Sequence, residues 1–74
     1  MRDKIIIYGT NWCPHCTKAR MAYGERAVYI DAEADVRHLD EMLIRSGGEF
    51  RVPVIAEGAR VTIGFGGESR SGFT

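Results

Sequence analysis

Seventy-four residues suffice for one small domain, 1–74, with a marginal core, because a chain this short buries only about 60% of the surface its unfolded form exposes. Apolar residues make up 45% and charged residues 27%, the mix of a globular chain; ten Lys and Arg balance ten Asp and Glu, which argues against nucleic acid or anionic membrane bound by excess positive charge. The longest apolar run, Ile5-Ile6-Ile7-Tyr8, is far short of the ~20 residues that span a bilayer. Met1-Arg2-Asp3-Lys4 lacks the apolar stretch and cleavage site of a secretory signal, so the expectation is a cytoplasmic monomer.

Lys4 to Tyr8 is β-branched and almost wholly apolar, which reads as a buried parallel strand. Gly9-Thr10-Asn11-Trp12 forms a loop, and Pro14 suits the first position of a helix, where a missing N–H costs nothing. Cys16, Ala19 and Tyr23 share one face of that helix, which Gly24 ends. Ala27 to Ile30 is a second strand. Asp35 caps a second helix with an apolar stripe of Val36, Leu39, Met42 and Leu43, stopped by Ser46-Gly47-Gly48. Val54-Ile55-Ala56 and Arg60 to Ile63 are strands joined by a short Glu57-Gly58-Ala59 hairpin loop. The order β-α-β-α-β-β predicts an α/β domain with a mixed sheet and helices packed on it.

Cys13 and Cys16 are the two cysteines of the chain. A bridge across two intervening residues closes a tiny loop and constrains the unfolded chain little, so redox chemistry or metal binding is the expected use of the pair. With Cys13 at the N-cap, its sulfur lies by the unpaired N–H groups of the first turn. Residues 8 to 24 hold no carboxylate, whereas Lys18 and Arg20 add positive charge. Cys13 is therefore expected to be an exposed nucleophile of lowered pKa. Cys16, one turn deeper and more buried, is expected to attack the mixed disulfide formed at Cys13. A protonated His15 would favour the dithiol state and make the pair more oxidising. Trp12 is expected to flank the sulfur and offer a substrate an apolar contact, with partial burial under a loop as the alternative.

Three segments carry a resemblance: Tyr8-Gly9-Thr10-Asn11-Trp12-Cys13-Pro14-His15-Cys16 between strand and helix, Arg51-Val52-Pro53 before the hairpin, and Ile63-Gly64-Phe65-Gly66-Gly67 after the last strand. Together they resemble the glutaredoxin family, especially its small redoxin-like members, over nearly the whole chain. The resemblance implies a thioredoxin-like fold, β-α-β-α-β-β, with a four-stranded mixed sheet and a missing or very short C-terminal helix. It implies a thiol–disulfide oxidoreductase that reduces protein or glutathione mixed disulfides through Cys13 and Cys16. No bound cofactor is implied; the reductant is glutathione or a thioredoxin-reductase-type flavoenzyme, and the partners are disulfide-containing proteins. It also implies a cis Val52–Pro53 bond facing Cys13, with the Val52 main chain free to pair with a substrate backbone.

The chain departs from the family at several points. Thr10 stands where a Lys usually meets a glutathione carboxylate. Gly66, Gly67 and Glu68 occupy the region of a usual Asp, Arg51 replaces a Thr, and His15 replaces a Tyr. Arg37 and Arg51 are candidates for the missing positive charge. With only a short tail after the glycines, one sheet face is expected to be thinly covered.

The competing reading is a non-catalytic carrier of a metal or an iron–sulfur cluster. A structural zinc needs four ligands, for which Cys13, Cys16, His15 and His38 are the soft candidates, and His15 cannot easily join both neighbours in one tetrahedron. A cluster bridged between two chains with glutathione is known in the wider family. Asp31 and Asp35 read as solvated or capping, and His38 as an exposed helix residue. Phe50 and Phe65 suit either a groove rim or the core. Gly64, Gly66 and Gly67 suit either a strand end or an anion-binding nest.

Overall fold

The computed structural model describes residues 4–66 and the short strand at 70–71. Strand β1 (Ile5–Gly9) leads to helix α1 (Pro14–Tyr23) and a single 3-10 turn at Gly24–Arg26. Strand β2 (Ala27–Asp31), helix α2 (Val36–Ser46), and strands β3 (Arg51–Val52), β4 (Val54–Glu57), β5 (Arg60–Ile63) and β6 (Arg70–Ser71) follow. The main sheet has the order β2-β1-β4-β5. β1 runs parallel to β2 and antiparallel to β4, and β4 pairs antiparallel with β5. This is the expected four-stranded mixed sheet. Its hairpin loop is one residue shorter than expected, because Glu57 stays in β4 opposite Arg60. β3 and β6 form a separate antiparallel pair that the sequence pattern did not reveal. Two-residue strands carry too few side chains for a readable period.

The alternation of β1 and β4 splits the core between two faces. Ile7 opposite Ile55 joins Ala19 on the α1 face, with Tyr23, Ala27, Tyr29 and Phe65 packed around them. Tyr8 opposite Val54 joins Cys13, Cys16, Ala32, Met42 and Val52, with Leu39 and Leu43 of α2 against them. Among the described residues no helix follows β5. The α1 face is nonetheless not bare: Phe65 meets Tyr23 edge-on with ring centroids 6.3 Å apart, and Ile55 beneath is buried.

The helix ends follow local chemistry. Pro14 opens α1, and Gly24 closes it with φ 60°. Asp35 accepts the Arg37 backbone N–H at 2.9 Å, an N-cap. Gly47, in the left-handed region with φ 73°, ends α2, and the Gly48 N–H returns to the Leu43 carbonyl at 2.8 Å, as a Schellman motif does. One member of the expected stripe is wrong: Val36 is 68% exposed. It occupies the first position of α2, beyond the part of the helix that Leu39, Met42 and Leu43 lay on the sheet. No helix among the described residues is long and apolar enough to cross a membrane.

Candidate functional site

The cysteines sit where β1 hands over to α1. Cys13 is the N-cap of α1, with extended backbone at φ −88° and ψ 117°. Its carbonyl accepts both the N–H and the hydroxyl of Thr17, at 3.2 and 3.3 Å. Cys16 lies one turn deeper. Both are free thiols, and their side chains are within hydrogen-bonding reach of each other. Val52 packs in the same buried cluster, and the Val52–Pro53 peptide is cis, as the resemblance implied.

The expected exposure of Cys13 is overturned. The residue is 1% exposed, scarcely more than Cys16 at 0%. Position at a helix start does not set exposure; the chain that folds over that start does. Here Tyr8, Ala32, Met42, Val52 and Val54 enclose the pair. Ala32 belongs to a turn tied to the cysteine loop by three bonds. The Ala32 N–H donates to the Gly9 carbonyl at 2.8 Å, the Asn11 amide to Asp31 at 3.3 Å, and the Trp12 indole Nε1–H to Glu33 at 3.1 Å. Trp12 itself is 40% exposed, so its ring is only partly covered.

Burial pushes the Cys16 thiol up to about 12. The neighbouring Cys13 raises it further, while the Thr10 backbone and the Arg20 charge pull it back. Tyr29 also lies against Gly9, its hydroxyl donating to Asn11 at 3.1 Å and its ring under the Arg20 guanidinium at 3.8 Å. Burial first, and then Asp31, push this phenol up to about 12. Tyr8 is buried with the cysteines and donates to the Glu41 carboxylate; burial and that bond raise its pKa.

The other predicted site residues divide. Pro14 is exposed and His15 half-buried beside the cysteines. Gly64 is buried, and its N–H donates to the Pro53 carbonyl at 2.7 Å, so the end of β5 holds the proline. Arg51 is half-buried in β3. Phe65 is not brought to the cysteines, because it packs in the Ile7–Ala19–Ile55 cluster. Gly66 is exposed, and Gly67 and Glu68 lie outside the described residues. Arg37 is engaged with Asp35 at 2.8 Å, which gives it a local role. His38 is not the exposed residue expected: it is half-buried, with Nδ1 3.1 Å from the Asp31 carbonyl. Among the described residues, no three His, Cys, Asp or Glu side chains converge as a metal ligand set.

Two residues were missed. A Cβ added at Gly9 would lie 2.6 Å from the Cys16 Sγ and 3.0 Å from its Cβ, so this glycine makes the space for the sulfur. A glycine closing an apolar strand is the signal that could have found it. Thr10, 1% exposed, contacts Cys16 through its backbone, a role that no side-chain pattern announces.

No family profile and no curated protein matches this sequence. Among solved structures, the chain is similar to a glutaredoxin from Archaeoglobus fulgidus. The TM-score is 0.64 at 21% identity, over 85% of this chain and 76% of that one. The fold is thus a glutaredoxin-like thioredoxin fold. At this identity the likeness carries architecture only, and the chemistry must be argued from the residues above.

Proposed function

We propose that the chain is a glutaredoxin-like thiol–disulfide oxidoreductase acting on protein or glutathione mixed disulfides. The observation that carries this reading is the pair of free thiols in mutual reach at the start of α1, with Val52 of the cis Val52–Pro53 peptide in the same cluster. Cys13 attacks a substrate disulfide, forming Cys13–S–S–R and releasing the other half as a thiol. Cys16 then gives up its proton and attacks the Cys13 sulfur. The second thiol leaves, a Cys13–Cys16 disulfide remains, and two electrons have passed to the substrate. An external thiol or flavoenzyme restores the dithiol.

In this reading Val52-Pro53 orients the substrate backbone, His15 adjusts the poise, and Trp12, Pro14, Arg51, Gly64 and Gly66 border the approach. Because Cys13 is enclosed, exchange requires the Ala32 turn or the Val52 segment to open. The cytoplasm is the proposed setting, since free dithiols persist there.

Three outcomes test the proposal. Cys13→Ser abolishes turnover of a glutathionylated peptide, and Cys16→Ser accumulates a mixed disulfide visible by mass. Exchange that survives Cys13→Ser refutes the assigned nucleophile. Iron or zinc held stoichiometrically after anaerobic purification, without thiol exchange, would favour the carrier reading instead.

A further inference from the structure

Of the residues that enclose Cys13, Tyr8, Val54 and Met42 belong to the main sheet and α2, whereas Val52 and Ala32 lie outside them. Those two are held by different kinds of bond. Val52 is fastened through main chain: β3 pairs with β6, and the carbonyl of the adjoining Pro53 accepts the Gly64 N–H at 2.7 Å. Ala32, 2% exposed, sits in the turn between β2 and α2. The turn is anchored at both ends. Asp31 is paired with Gly9 in the sheet, and its carbonyl lies 3.1 Å from His38 Nδ1. Asp35 caps α2.

Between these anchors the chain is folded on itself. The Ala34 N–H donates to the Asp31 carbonyl at 3.2 Å, and the Glu33 N–H to the Asp31 carboxylate at 2.9 Å. Residues 32–34 therefore shift together. They meet the cysteine loop through the Ala32 N–H on the Gly9 carbonyl at 2.8 Å and through the Trp12 indole Nε1–H on the Glu33 carboxylate at 3.1 Å. The second bond joins two exposed side chains. Water competes for both of its partners, so its net strength is small and it breaks readily. Trp12 directly precedes Cys13 in the chain.

We infer that residues 32–34 form a strap over Cys13, latched by the Trp12–Glu33 hydrogen bond, and that release of this latch admits a reactant to the sulfur. Access of any thiol reagent is governed in this way; the part that the strap plays in disulfide exchange rests on the oxidoreductase reading. Cys16, one turn deeper on α1, stays enclosed when the strap lifts.

The test treats the reduced chain with excess iodoacetamide and assigns the alkylated cysteine by tandem mass spectrometry. Glu33→Ala removes the acceptor and Trp12→Phe the donor. Each should speed Cys13 alkylation about three- to tenfold, the range for one solvent-exposed hydrogen bond. The double variant should be no faster than the faster single one, because the same bond is lost once. Glu33→Gln keeps an acceptor oxygen without the charge and should stay within about twofold of wild type, with Cys16 unmodified throughout. A wild-type rate in Glu33→Ala overturns the inference, as do rates that multiply in the double variant. Glu33→Gln as fast as Glu33→Ala also overturns it, because loss of a negative charge near the thiolate would then be the cause. Cys16 alkylated in step with Cys13 overturns it too, since that marks global unfolding. Exchange with a glutathionylated peptide should rise in Glu33→Ala alongside alkylation. Faster alkylation with no exchange in any chain, wild type included, upholds the strap and refutes the oxidoreductase reading.

Discussion

Replacing Gly9 with alanine isolates the close approach between β1 and Cys16. The added methyl would stand 2.6 Å from the Cys16 Sγ and 3.4 Å from a Tyr29 ring carbon. Unstrained carbon contacts sit at about 3.5–4.0 Å, so the sulfur must retreat by roughly 1 Å. Cys16 is fully enclosed and cannot swing into solvent. Overpacking of this kind costs about 1–3 kcal/mol. In a domain of this size each kcal/mol lowers Tm by about 4–8 °C. Thermal unfolding of the reduced protein reads this cost directly. A Cys16→Ala partner removes the 2.6 Å contact and leaves the one to Cys16 Cβ at 3.0 Å, so the double variant should recover about 1 kcal/mol or more relative to additivity. Wild-type stability in Gly9→Ala, or strict additivity in the cycle, would refute the reasoning.

Further outcomes follow from the same geometry. Burial pushes the Cys16 thiol from 9.0 to about 12, so the unfolded chain ionises before the folded one; the stability from this group is complete below about pH 9 and is lost as pH rises towards 12, by up to about 1.4 kcal/mol per pH unit. Subtracting the profile of Cys16→Ala separates this term from that of Tyr29, and a flat difference across that window would contradict it. Because Cys13 is 1% exposed, iodoacetamide should modify it more slowly than the urea-unfolded chain and faster as sub-denaturing urea is added; equal rates in the folded and unfolded protein would rule out the closure. Phe65→Ala should lower stability by about 1–3 kcal/mol by uncovering Ile55 while leaving exchange at Cys13 intact. Exchange lost at unchanged stability would return Phe65 to the site.

Much of the architecture was legible because it is governed locally. Pro14 starts a helix and Gly24 ends one through backbone conformation alone. Asp35 caps α2 through its own side chain, and the β-branched run Ile5-Ile6-Ile7 fits a central strand. The three-residue step from Cys13 to Cys16 is one helical turn, so two thiols in mutual reach follow directly once Pro14 has set the helix start. The β3–β6 pair was not legible, because its partners are distant in the chain and too short to carry a period.

What the order of residues determined by itself is the chemistry at hand: two thiols one turn apart and no carboxylate from residue 8 to residue 24. What only the tertiary structure decided is the environment of that chemistry. Glu33, Asp31 and Glu41 come to Trp12, Asn11 and Tyr8 from the turn after β2, from β2 and from α2, respectively. Ala32, Met42 and Val52 cover Cys13, and Gly9 admits the Cys16 sulfur to its place. Reactivity of a thiol depends on access and on the charges around it. Both are sums over neighbours that long-range packing brings together, so neither can be read from the local pattern that places the sulfur.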